Sequence, residues 1–150
     1  MVAGEGGQST SGQESERMTV LLYSDNSQVR EQVRLAVGRR PAADLPRVEF
    51  LECATEPVVL RRLAEEYVDV AILDGEAQPA GGMGVCRQAK DEIFQCPPIL
   101  VLIARRDDGW LATWSRADAV AAHSVDPVEL PAALAGLMRQ RGNPVPTQHS

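Results

Sequence analysis

Asp74 closes a short apolar run at 68–73 (VDVAIL), rich in β-branched residues and followed by glycine and proline punctuation. A run of that kind reads as a buried parallel strand ending at an open sheet edge. In open α/β sheets, ligands and chemistry gather just beyond the carboxyl ends of the strands, so an acid placed there is a candidate reactive group. The competing reading is a helix or turn cap. A second acid, Asp25, follows another apolar run at 19–23 (TVLLY). Brought side by side, two carboxylates with nearby backbone carbonyls suit Mg²⁺, which takes one or two carboxylates together with waters and a phosphate. Such a cation would neutralise charge while Asp74 attacked a phosphoryl donor in line.

Whether the two acids meet depends on the elements that carry them. After the run at 19–23, Ser24, Asp25, Asn26 and Ser27 supply polar ends and a helix cap, and Val29, Val33, Ala36 and Val37 then share one helical face up to Gly38. A second strand spans 47–53, weakened by Glu49 and Glu52 as suits an edge. Thr55 caps the next helix, with Pro57 in its first turn and Val59, Leu60 and Leu63 as its apolar stripe. Beyond Asp74 the pattern predicts a helix over 85–93, a strand at 99–103 and a short helix capped by Asp107 and Asp108. A weak strand at 119–122 follows, then a last helix opened by Asp126, Pro127 and Glu129 with Leu130, Leu134, Leu137 and Met138 on its core face. Strict strand-helix alternation implies right-handed crossovers and a parallel sheet covered on both faces. The flavodoxin-like (βα)5 three-layer sandwich with strand order 2-1-3-4-5 fits a chain this small, and in that order Asp25 and Asp74 emerge as neighbours.

Composition narrows the function classes. The 150 residues are 44% hydrophobic, enough for one core and too few for two comfortable domains. A net charge of −6 with scattered basic residues argues against nucleic-acid binding. Cys53, Cys86 and Cys96 are odd in number and lack CxxC spacing, so they read as thiols in a reducing cytoplasm rather than as a disulfide or zinc framework. No apolar run reaches the length of a membrane span, and no signal peptide opens the chain, so a cytoplasmic location without direct membrane insertion is expected. Residues 1–17 and 141–150, poor in buryable side chains, read as tails around a domain at 18–140.

The chain resembles the receiver domain of bacterial response regulators, the CheY-like family. The likeness spans about 18–140 and rests on YSDN after the first strand, ILD at the third, PPILVLIA at the fourth and ADAVAAHSVDPVEL leading into the last helix. It implies that Asp74 is the phosphoacceptor, that Asp25 is the acidic metal ligand of the first strand and that the carbonyl of Glu76 is a further Mg²⁺ ligand. Four positions depart from the family pattern. Ser24 stands where the family has the first of two acids, and Ile103 stands where a Thr or Ser would bond the phosphoryl group. Val120 replaces the switching aromatic. His123, followed by Ser124, replaces a Lys-Pro pair, removing a phosphate-pairing ammonium and the cis-proline turn. The resemblance therefore implies an atypical receiver with weak metal binding. It is nearest to stand-alone receivers of actinobacteria, some of which associate with respiratory NADH dehydrogenase.

Other features carry paired readings. Trp110 and Trp114, the only tryptophans, lie four apart on one side of the short helix, as core packing or as a docking patch on the surface through which the family signals. His123 is either a proton-dependent substitute for the missing Lys or a surface histidine without a role. Gly81, Gly82 and Gly84 lack the spacing of a phosphate-cradling loop and read as a flexible turn. Two function classes follow. One is a phosphorylation-responsive receiver, served by a histidine kinase and acting without a fused output domain. The other is a docking or regulatory subunit of a larger assembly that ignores phosphate. No nucleophile-base pair or cofactor fingerprint points to an enzyme.

Overall fold

The apolar runs form five strands, β1 (Arg17–Tyr23), β2 (Arg47–Cys53), β3 (Val70–Asp74), β4 (Ile99–Ile103) and β5 (Ala119–Ala122), in a computed structural model that describes residues 16–105 and 109–142. All neighbours are parallel and the order is β2-β1-β3-β4-β5, as the alternation predicts. Five helices connect or follow them: α1 (Ser27–Val37), α2 (Glu56–Glu65), α3 (Gly82–Glu92), α4 (Gly109–Ser115) and α5 (Glu129–Gly142).

Two core layers follow from the two-residue period of the strands. Val20, Leu22, Ile72, Leu100 and Leu102 face α1 and α5, where Val29, Val33, Leu130, Leu134 and Met138 meet them. Leu21, Tyr23, Ala71, Leu73 and Val101 face the other way, onto Val59 and Leu63 of α2 and Val85, Cys86 and Ala89 of α3. The central strand β3 is buried along its whole length, while β2 at the edge is only half-covered and exposes Glu49 and Glu52. Each fully buried aliphatic side chain contributes about 1.5–3 kcal/mol, so this two-sided cover fixes where β3 ends.

The helix ends differ in places from the expectations. Asn26 caps α1, its Oδ1 accepting from the Gln28 N–H at 2.8 Å, and Gly38 closes it at a φ of 69°. Thr55 occupies the cap position of α2, but its side chain makes no capping bond. Helix α3 begins at Gly82 rather than at Val85. Asp126 accepts from Val128 N–H and Glu129 N–H at 2.6 and 3.0 Å, which hold its carboxyl below the usual range. The Glu129 carboxylate reaches Ala122 N–H instead of turning back to Asp126. The expected caps Asp107 and Asp108 lie outside the described residues, as do 1–15 and 143–150 of the expected tails. Arg17 already belongs to β1, and residues 141 and 142 continue α5.

The three cysteines carry no disulfide. Cys53 and Cys86 are buried and Cys96 is half-buried, and burial pushes the Cys86 thiol up to about 11. Among the described residues no helix is long and apolar enough to cross a membrane.

Candidate functional site

The register places Asp74 at the carboxyl end of β3, with Leu73 beside Tyr23 of β1 and Asp74 beside Leu102 of β4. Ser24, the residue after β1, therefore arrives next to Asp74. Its hydroxyl, fully buried, donates to Asp74 Oδ2 at 2.7 Å and accepts from Asn26 N–H at 3.0 Å. On the other side β5 pairs with β4 up to Ala122, and His123 N–H continues the ladder to the Ile103 carbonyl at 2.8 Å. That step carries His123 Nε2 to 2.9 Å from Asp74 Oδ1. The nitrogen lies off the direction of a ring N–H hydrogen bond, so the contact is a charge pairing when the imidazole is protonated rather than a directed bond. Glu76 N–H donates to the same Oδ1 at 2.8 Å. The Asp74 carboxylate, only 3% exposed, thus has a backbone N–H and an imidazole on one oxygen and a hydroxyl on the other.

Asp25 emerges at the same edge, exposed, and its Oδ1 accepts from Gln78 N–H at 3.1 Å. Both acids are therefore tied to the loop after β3, at backbone positions two residues apart. Tyr23 fastens that loop from below, donating its buried hydroxyl to the Ala80 carbonyl at 2.5 Å. Burial first, then the carboxylates of Asp25, Glu56 and Asp74, push the Tyr23 phenol above its ordinary value. Within the loop the Gln78–Pro79 peptide is cis. The glycines are not a flexible turn. A Cβ on Gly81 would lie 2.8 Å from the Gly75 carbonyl oxygen, and one on Gly82 would lie 2.7 Å from that of Asp74, so α3 starts against the backbone of the site.

The remaining departures sit farther along β4 and β5. Ile103 and the half-exposed Val120 line an open hollow with Arg105, Asp126 and Glu129, and neither side chain offers a donor to Asp74. Trp110 is 69% and Trp114 47% exposed, which overturns the core-packing reading. Trp114 lies under the Arg87 guanidinium of α3 at 5.0 Å, and Arg87 Nη1 donates to the Trp114 carbonyl at 2.7 Å.

Sequence reasoning missed two contacts. Ser24, which stands where the family has an acid, bonds Asp74 directly. His123, open from the sequence to a role as a substitute for the missing Lys or to none, touches the carboxylate. The signal for both lay in the strand order, which puts the residues after β1 and β5 at the same edge as Asp74. The three side chains do not form a hydrolytic triad, because the carboxylate lies between hydroxyl and imidazole and His123 has no position as base toward Ser24. Asp25 and Asp74 come to one edge beside the backbone of Glu76, a set of oxygen ligands of the kind Mg²⁺ takes together with waters and a phosphate. Asp25 Oδ1 accepts from Gln78 N–H, Glu76 N–H donates to Asp74, and the neutral Ser24 stands where the family has a further acid. Among the described residues no cluster of three or more His, Cys, Asp or Glu could hold a metal ion.

No protein-family model matches the sequence. An uncharacterized response regulatory protein of Mycobacterium tuberculosis, found in strains CDC 1551 / Oshkosh and ATCC 25618 / H37Rv, is 51% identical over 125 residues, which cover 83% of this chain and 94% of that protein. The receiver domain of Francisella response regulator 1452 superposes with a TM-score of 0.69 at 13% identity, over 82% of this chain and 98% of its own. The BeF3-activated receiver domain of DrrB does so with a TM-score of 0.60 at 19% identity, over 83% and 99%. None of these comparisons supports respiratory NADH dehydrogenase as a partner. With half of the 125 aligned residues shared across nearly the whole of the mycobacterial relatives, and with the strand order and helices of the receiver fold, the chain belongs to the response regulator family as a CheY-like receiver domain.

Proposed function

We propose that the protein is an atypical receiver of two-component phosphorelay signalling in which Asp74 accepts the phosphoryl group and the output is contact with another protein. The observation that carries the reading is the buried Asp74 carboxylate at the end of the central strand, held by Glu76 N–H and Ser24 Oγ with His123 Nε2 alongside. Attack by a carboxylate oxygen forms the O–P bond and breaks the donor's bond to phosphorus, leaving an acyl phosphate. The donor set does little to make that step fast. Ile103 offers no hydrogen bond to the transferred group, no lysine ammonium is present at position 123, and the carboxylate is nearly enclosed.

The kinase-facing and output sides follow the same reading. A histidine kinase would deliver the phosphoryl group, and the exposed Trp110 and Trp114 of α4 would carry the docking. A second reading, docking that ignores phosphate, is favoured by one observation. His123 Nε2 lies 2.9 Å from Asp74 Oδ1, so the turn after β5 rests against the carboxylate itself.

Incubation with acetyl phosphate, followed by intact-mass measurement, tests the first reading. Slow, partial gain of one phosphoryl group is expected, abolished in Asp74→Asn. Labelling of most of the protein within minutes would contradict the weak-receiver account, and a label that survives Asp74→Asn would remove Asp74 from the role.

A further inference from the structure

We propose that Tyr23 is a positioning residue for phosphoryl transfer to Asp74: its hydroxyl holds the loop after β3 in the path that brings the backbone of Glu76 and Gln78 to the two acids. This rests on the reading of Asp74 as phosphoacceptor and adds the residue that sets the shape of the site around it.

Two segments build the site, residues 24–26 after β1 and residues 75–81 between β3 and α3. Tyr23 is the last residue of β1 and pairs in register with Leu73, so it stands one residue before Ser24 and one strand away from Asp74. It has no exposed surface, and its hydroxyl donates to the Ala80 carbonyl at 2.5 Å. The phenol thus joins the start of the first segment to the end of the second. At its other end the loop hangs from the sheet. Gly75 N–H donates to the Leu102 carbonyl at 2.9 Å, Ala77 N–H to the Asp74 carbonyl at 3.2 Å, and Glu76 N–H to Asp74 Oδ1 at 2.8 Å. Just past Ala80 the chain closes on itself, since a Cβ on Gly81 would lie 2.8 Å from the Gly75 carbonyl oxygen. Fixing Ala80 therefore fixes the path back to Asp74. Gln78 N–H also crosses to Asp25 Oδ1 at 3.1 Å, but that bond is exposed and uses a carboxylate of the kind a cation engages. The bond from Tyr23 to Ala80 involves neither acid, so it holds the loop whatever Asp25 binds. Phenylalanine would fill the same core space, and what the tyrosine adds is the bond alone.

The test compares the full-length chain with Tyr23→Phe, which keeps the ring, and with Val37→Ala, a core truncation at the last residue of α1 that lowers stability without touching either segment. Amide hydrogen exchange read by NMR is expected to speed up at Glu76 and Gln78 in Tyr23→Phe, relative to the amides of β3, and to keep the wild-type ratio in Val37→Ala. Acetyl phosphate labelling in MgCl₂ is expected to lose at least about tenfold in maximal rate in Tyr23→Phe, because small displacements around a reacting group are costly, with the half-saturating acetyl phosphate concentration unchanged. Val37→Ala should label as the wild type does. Unchanged exchange at Glu76 and Gln78 in Tyr23→Phe overturns the proposal. Labelling of Tyr23→Phe at the wild-type rate, a loss confined to the half-saturating concentration, or equal slowing in both variants overturns it as well. A wild type that takes no label at Asp74 sinks the phosphoacceptor reading instead, and the exchange comparison still decides whether Tyr23 holds the loop.

Discussion

Gly82→Ala is expected to destabilise the protein by about 1–3 kcal/mol and to reduce labelling of Asp74, while Gly84→Ala is expected to stabilise it by about 0.5–1 kcal/mol. The two glycines sit in the first turn of one helix and differ in what a methyl group would meet. At Gly82 the added Cβ would lie 2.7 Å from the Asp74 carbonyl oxygen, 2.8 Å from its carbonyl carbon and 3.0 Å from that of Leu73. All three are backbone atoms of the central strand, so no side chain can swing aside. Either α3 lifts off the sheet or the Asp74 peptide moves, and each disturbs the bonds to Oδ1 and Oδ2. Gly84 is exposed with nothing within 4 Å, and there alanine only removes the conformational freedom of the unfolded chain. Urea denaturation with an unchanged slope checks both signs. Equal effects at the two positions would show that α3 does not lean on the backbone of the site.

The second large effect concerns the output surface. Trp110→Ala with Trp114→Ala is expected to release a protein partner captured from cell extract, because each truncation in a desolvated interface centre typically costs about 2 kcal/mol or more, roughly 30-fold in affinity. Exposure of 69% and 47% means that the fold does not depend on burying these rings, so the thermal midpoint should change little. The Trp114 ring also loses its stacking with Arg87, a surface interaction of about 0.5–1 kcal/mol. Under the phosphate-independent reading, Asp74→Asn leaves the partner bound. Retention of the partner by the folded double variant, with loss on Asp74→Asn, would move the output away from α4.

Much of the architecture was legible in the sequence because it follows from apolar runs. The strands at 47–53, 99–103 and 119–122 have the predicted limits, since a buried parallel strand is a short hydrophobic segment bounded by turn residues. The start of α3 was not, because glycines read as punctuation when only local propensity is weighed. Close approach to Asp74 makes Gly82 part of the helix instead. Trp110 and Trp114 show the limit of spacing arguments, since a four-residue interval puts two rings on one side without saying whether that side faces the sheet or solvent. At the site, the acids and their edge were legible, whereas the hydrogen bond of Ser24 and the approach of His123 to Asp74 depend on side-chain directions and on the register of β4 with β5.

Locating the phosphoryl group tests the central claim most directly. After acetyl phosphate treatment, reduction of the acyl phosphate with borohydride and peptide mapping identifies the acid that carried it. The account predicts modification at Asp74, inside the peptide that spans the end of β3, with Asp25 unmodified. Modification at Asp25 with Asp74 untouched would contradict it.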